Sequence, residues 1–505
     1  MIRYFGLLSL MALAVGAATG LSPLQTNSKT GATSALPVAQ ADTKQSANSQ
    51  VTNKDKRKAR NKTRLKPNGK ADNSAALQQL VDNKTGSIRL SKGVYRITTP
   101  IVINLDTVGY TSITSDGTAT IVMDGPGPAL RFVGTHGGTA DPASVKDNVW
   151  QNQRAPMLTG IEIIGRHAEA DGVEADGTMQ LTISKVVLRK LRHGIHLVNR
   201  NRNVIVDDCH IYENSGVGIY YDNVNLHQSN IIGSHISYND GGGVVVKGGD
   251  VRNIHIGTCD IEGNMSQDGS PTANVLLDST GGSIGEVAIT GCTIQHTHNA
   301  KDSANIRVNG ESTARPFTKE TRHGHITIAN NVLSDVRVNI DLLNTRGVTI
   351  TGNTIWKGYD HDIRMLNCSN VILGSNMFDR NPRYGYGDGK DAKQGLLLTQ
   401  CNDCTLTGNH IVSAGDTAAA VQLTKCRRIN VTGGSVLDAK NVAILLTDVT
   451  RSRISNCIID NSNSPGAASI RIEGGKGNMV VNNQMSTELE TSDLTADIDG
   501  NTLSN

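Results

Sequence analysis

The chain has 505 residues, a net charge of +3 and only 3% aromatic side chains. So few aromatics, on a body that proves mildly acidic, argue against a nucleic-acid partner. After the N-terminal residues, no stretch is apolar for long enough to span a bilayer.

Arg3 precedes an apolar run from Phe5 to Val15, and the small residues Gly16, Ala17 and Ala18 follow it. This pattern reads as a signal peptide over 1–23, with no transmembrane segment, and predicts a secreted, periplasmic or cell-surface protein. Residues 24–70 are rich in Ser, Thr, Asn, Gln and Lys and predict a disordered linker. Within it, Lys54 to Lys66 holds eight basic residues and one acid, which leaves the rest of the chain at a net −4. We read the run as a solvated tether, with attachment to an anionic surface as the alternative. Next, Asp72 to Asp82 predicts a short capping helix. Ser74 is its expected N-cap, and Leu77, Leu80 and Val81 lie on one face.

From residue 71 to about 490 the chain repeats itself. Ile211, Ile236 and Ile261 are 25 residues apart, as are Asn214, Asn239 and Asn264. Each unit of roughly 22–34 residues holds three short runs of period-two alternation between Gly, Asn and Asp corners. Helical periodicity is absent. The expected fold is all-β, a right-handed parallel β-helix of three-strand coils, followed by a tail over 491–505. Stacked coils turn equivalent positions into ladders. Ile and Val point inward, Cys209, Ser234, Cys259 and Cys292 form a small-residue column, and the Asn residues form a corner ladder. The eight cysteines are read as core residues of this kind, and Cys401 and Cys404 have no second pair to complete a zinc site.

Asp72-Asn-Ser-Ala-Ala-Leu-Gln-Gln-Leu80, Gly86 to Ile97 and Thr99-Pro-Ile-Val-Ile103 resemble the N-terminal segment of the pectate-lyase-like superfamily. The resemblance covers most of residues 71–480 and implies a polysaccharide partner, bound along an outer face between corner loops. It carries no single activity, because that superfamily holds lyases, hydrolases, epimerases and proteins without known activity. The Asn-Thr-Asp and Gly-His-Gly signatures of polygalacturonase-type hydrolases are absent.

Outward positions of the third strand bring charge to a few adjacent coils. One column reads His196, Tyr220, Val245, Leu276, Arg307 and Asp341. The next reads Asp222, Lys247, Asp278 and Asn309. Asn225 to Gln228 forms an unusual corner, and Asn230 and His255 point outward just after it. The catalytic candidates are therefore Lys247, His227, His255, Arg307, Asp222 and Asp278. Tyr220, Asn309, Gln228 and Asn230 are expected to contact substrate.

Three readings fit. The first is β-elimination on an acidic glycan, uronic or sulfated. Two flanking carboxylates would keep Lys247 charged, so His227 or His255 is the better base. Asp222 and Asp278 would then hold Ca2+, with Lys247 or Arg307 facing substrate. The second is an inverting glycoside hydrolase using Asp222 and Asp278, whose backbones two coils apart are roughly 9.6 Å from each other, near the upper end of the inverting range. The third is a non-catalytic glycan-binding solenoid in which Asp222, Lys247 and Asp278 are a surface charge ladder. The scarcity of Trp and the nearby Arg and Lys residues favour an anionic glycan. A monomer is expected.

Overall fold

The computed structural model describes residues 64–504 apart from 139 and 465. The expected signal peptide and nearly all of the expected linker lie outside the described residues. Strand Asn68–Asp72 already pairs in parallel with Gly93–Ile97. At the other end, Asp497–Asp499 and Thr502–Leu503 continue the pairing of the preceding coils. The ladder therefore starts inside the stretch read as linker and runs on through the stretch read as tail.

The body is a right-handed parallel β-helix. Each coil stacks on the next with the register that the repeat predicts, so Ile211 pairs with Ile236, which pairs with Ile261. All three are fully buried, and the Cys209, Ser234, Cys259 and Cys292 column lies beside them in the core. Burying a large aliphatic side chain stabilises by roughly 1.5–3 kcal/mol, so the Ile columns dominate the stability of the stack.

Coils in the first half differ from expectation in one respect. Strand Val217–Ile232 is continuous through the region read as a corner. It bends at Asn223 and Gln228, both at positive φ, and so adds a short fourth run, Asn225 to His227, before the next first strand. In later coils this run shrinks to single bridges from Asn402 to Arg427 and on to Thr450.

The capping helix is Ser74–Asp82, with Leu77 and Val81 buried and Leu80 packed against the core. Its N-cap is Asn73 rather than Ser74. Ser74 sits inside the first turn, and its main-chain N–H donates to Asp72 Oδ1 at 2.9 Å.

Two amide ladders fix register. Asn214 donates to Asn239 at 2.7 Å and Asn239 to Asn264 at 2.7 Å. The line continues through Asn274, Asn305 and Asn339 and ends on the buried Asp362. A second ladder joins Asn331, Asn353, Asn376 and Asn409. Asn239 also donates to the Ile211 carbonyl. Asn239→Ala strands buried partners in both neighbouring coils. It is expected to lower stability by roughly 2–4 kcal/mol in urea unfolding, more than any exposed Asn→Ala change in the same coils.

Candidate functional site

Third strands Ala170–Met179, Val217–Ile232 and the one beginning at Ile195 lie side by side. They set Glu174, His196 and Tyr220 in one outward row. Asp222 lies two residues beyond Tyr220, on the same face. His196 sits between two carboxylates. Its Nε2 is 3.1 Å from Asp222 Oδ2, and its Nδ1 is 4.0 Å from Glu174 Oε2 and has no hydrogen bond. The imidazole stacks on the Tyr220 ring, with centroids 5.4 Å apart and planes 4° apart. His193 closes the group at 5.3 Å from both rings.

Glu174 and His193 are held from behind. Arg131 pairs with Glu174 at 2.7 Å. The Val217 main-chain N–H donates to His193 Nδ1 at 3.0 Å, so the neutral ring carries its proton on Nε2. Burial, partly opposed by Asp171, pushes the His193 pKa down to about 4. His193 is therefore a neutral donor across the physiological range. Asp171 accepts both the Arg192 guanidinium and the His193 main-chain N–H, which anchors this turn. Burial, the Asp222 charge and hydrogen bonding to Asp222 push the Tyr220 phenol up to about 12. It stays protonated and acts as a donor. Asp222 is the open member, with 41% of its side chain exposed, against 14% for His196.

The other sequence-predicted residues are spread over three places. Asp222, Lys247, Asp278 and Asn309 do follow one another in register. Asp222, however, engages His196. Asp278 accepts from Thr280 and from Asn309 Nδ2 at 3.1 Å, which ties it to its own corner. Lys247 is exposed, and among the described residues no ion pair joins it to either carboxylate. The three do not form the expected ladder of paired charges.

Arg307 is not a free cation but is tied into a carboxylate network. Its Nε donates to Asp341 at 2.8 Å and its other nitrogens reach Asp302 and the Thr272 carbonyl, while Arg364 clamps Asp341 from the next coil. Burial raises the Asp341 pKa, but the hydrogen bonds and charges of Arg364 and Arg307 outweigh it and hold the carboxyl below its ordinary value. Arg307→Ala is expected to cost roughly 1–3 kcal/mol in denaturant unfolding, by leaving Asp341 half-paired, with Arg307→Lys recovering part of the loss.

His227 lies on the short fourth run, in register between Arg202 and Arg252. Burial and these guanidinium groups lower its pKa, so it is a neutral imidazole, away from the Tyr220 row. Gln228, Asn230 and His255 line a separate shallow cleft of about 360 Å³ with Asn203 and Asn253. It is rich in amide groups, and its only ionisable lining side chain is His255.

Sequence reasoning passed over His193 and Glu174 and gave His196 no role. The available signal was His193-Gly-Ile-His196 followed one coil later by Tyr220-Tyr-Asp222.

A family model described as periplasmic copper-binding protein (NosD) matches residues 251–417 and 388–504. Together these matches take in just over half of the chain, which therefore belongs to that family. Among curated proteins, none matches it. Similar solved structures include the Dettilon tailspike protein, at 14% identity and TM-score 0.45, covering 80% of this chain and 66% of that one. The A-module of a mannuronan C-5 epimerase from Azotobacter vinelandii is 12% identical, with TM-score 0.36 and coverage of 88% and 96%. A mutant tailspike protein of E. coli bacteriophage HK620, in complex with a pentasaccharide, is 12% identical, with TM-score 0.49 and coverage of 81% and 78%.

The residues present do not fit copper. Among the described residues no three His, Cys, Asp or Glu side chains gather as a metal-binding group. All eight cysteines are buried. Burial pushes the Cys209 thiol up to about 11 and its Sγ donates to main-chain carbonyls, the reverse of what a thiolate ligand needs. His210, His235 and Asp260 stack in register on successive coils, and among the described residues they form no such group.

Proposed function

We propose that the chain is an extracytoplasmic enzyme that cleaves an acidic glycan by β-elimination, with the His196, Tyr220 and Asp222 cluster as its chemical centre. The signal-like N-terminus and the periplasmic description of the family support the location. No helix among the described residues is long and apolar enough to cross a membrane. The observation that carries the chemistry is His196, held at 3.1 Å from a half-open carboxylate while stacked on a protonated phenol.

In this reading Asp222, with His196 behind it, takes the proton next to the uronate carboxylate. The electron pair forms the new carbon–carbon double bond as the bond to the glycosidic oxygen breaks. That oxygen takes the proton of Tyr220, and Asp222 returns the abstracted proton to the phenolate, which closes the cycle. His193 Nε2–H supplies a neutral donor to the developing charge, and the exposed Lys247 one coil on faces the uronate carboxylate. Asp222 and Asp278 belong to different coils with Lys247 between them, so a calcium ion there would need substrate oxygens to complete its shell.

Purified protein incubated with uronic and sulfated polysaccharides, with and without calcium, tests this. The expected result is unsaturated-sugar ultraviolet absorbance on a uronate polymer. New reducing ends without that absorbance would sink the lyase reading.

A further inference from the structure

A second feature lies away from the His–Tyr–Asp cluster, at the corners between second and third strands of the later coils. Three cavities there share walls. One of about 330 Å³ is lined by Trp356, Tyr384, Arg380 and Lys390. It continues into one of about 540 Å³ that shares Arg380, Lys390, Ala392 and Ser413, holds Lys393 with Asp391, Asp416 and Asp438, and reaches Lys440, which pairs with Asp416 at 3.3 Å. Lys440 then borders a third, of about 300 Å³, which ends at Arg471. The corners involved follow the second strands Thr354–Ile355, Met377–Phe378, His410–Val412, Ser435–Leu437 and Ile458–Asp460, five successive coils. At roughly 4.8 Å per coil step, the groove extends about 19 Å along the axis.

Its upper wall is a built structure rather than a loose loop. Arg380 donates to the carbonyls of Ala392 and Lys390, and Gln394 Nε2 donates to the Asp379 carbonyl. Asp388 is pinned by His298 at 2.8 Å and by the Tyr359 hydroxyl at 3.0 Å, with the His298 and Tyr359 rings stacked at 4.0 Å. This wall sets Tyr384 at 5.9 Å from Trp356, tilted by 31°, with Tyr384 40% exposed. Lys390 and Lys393 are exposed, and among the described residues neither has an ion-pair partner.

We infer that this groove binds a chain of acidic sugars. A sugar ring would lie against the Trp356 and Tyr384 faces, with the following residues along Lys390 and Lys393. An open aromatic pair offers apolar area to a ring, and unpaired ammonium groups beside it select anionic substituents. The groove has the length of a short oligosaccharide, and it holds no acid–base cluster of the kind around His196. It is a holding site that would keep a polymer on the solenoid between cleavage events, in the manner of a second linked binding module.

The chain has two tryptophans, Trp150 and Trp356, so the full-length Trp150→Phe variant leaves Trp356 as the sole indole reporter. Titrating it with a tetragalacturonate and a tetramannuronate, and with a neutral cellotetraose as control, tests the inference. At least one acidic tetramer is expected to shift Trp356 emission saturably, and the neutral one to bind at least tenfold more weakly. Tyr384→Ala, or Lys390→Ala with Lys393→Ala, should weaken the acidic tetramer about tenfold without lowering the melting temperature. His196→Ala should leave this binding unchanged, which separates it from the catalytic reading. No emission change with either acidic tetramer, equal binding of the neutral one, or indifference to both sets of variants would overturn the inference.

Discussion

His196→Ala is expected to reduce unsaturated-product formation by about 10²-fold, because it removes the partner that holds the proton-accepting Asp222 at 3.1 Å. Tyr220→Phe should cost a similar factor, because it removes the proton donated to the leaving oxygen and keeps the ring that stacks on His196 at 5.4 Å. Neither change should lower the melting temperature by more than a few degrees, since both side chains lie on the outer face and not in the Ile columns. The distinguishing readout is the pairing of the two. If His196 and Tyr220 act on one cycle, the double variant should be little worse than either single one, whereas independent roles would multiply the losses. Circular dichroism on each variant checks that the coil stack is intact.

The second large effect concerns Asp362, the last member of the first amide ladder. Asn339 Nδ2 and the Gly358 main-chain N–H both donate to its Oδ1, and Oδ2 is buried without a partner. Burial pushes its pKa up to about 7, against the opposing pull of those hydrogen bonds. In the unfolded chain this carboxyl ionises near pH 4. Because the folded value is the higher, its stabilising contribution is complete below about pH 4 and is lost as pH rises through about 7. Asp362→Asn replaces it with the amide that the ladder uses everywhere else. The variant should gain on the order of 2 kcal/mol at pH 8, and its stability should be flatter between about pH 4 and 7 than that of the parent. A variant less stable than the parent at pH 8, with the same slope, would contradict this account of the ladder end.

Much of the fold was legible because a coil turns sequence spacing directly into contact. The 25-residue interval of Asn214, Asn239 and Asn264 is one turn of the solenoid, and those three side chains hydrogen-bond to one another. The outward row containing Tyr220 and Arg307 also follows from period-two alternation within strands. The fourth run escaped notice because it is three residues long and is bounded by non-glycine residues at positive φ, which carry no composition signal. The site was legible only in part. Backbone register places Tyr220 beside His196, but a side-chain rotation decides that Asp222 turns to His196 and not to Lys247. Arg307 looked like a free cation because Asp302, which binds it and Arg364, comes from a corner whose path the sequence does not specify. The helix cap was misplaced by one residue for a related reason. Asp72 and Ser74 both suit the role, and their mutual hydrogen bond leaves Asn73 at the boundary.

In the proposed reaction a proton donor and acceptor around His196 break a glycosidic bond without adding water. Mass spectrometry on the products from a defined uronate oligosaccharide tests this most directly. The expected products are two fragments whose masses sum to that of the substrate, one of them carrying the new double bond. Fragments whose masses together exceed the substrate by one water would contradict it.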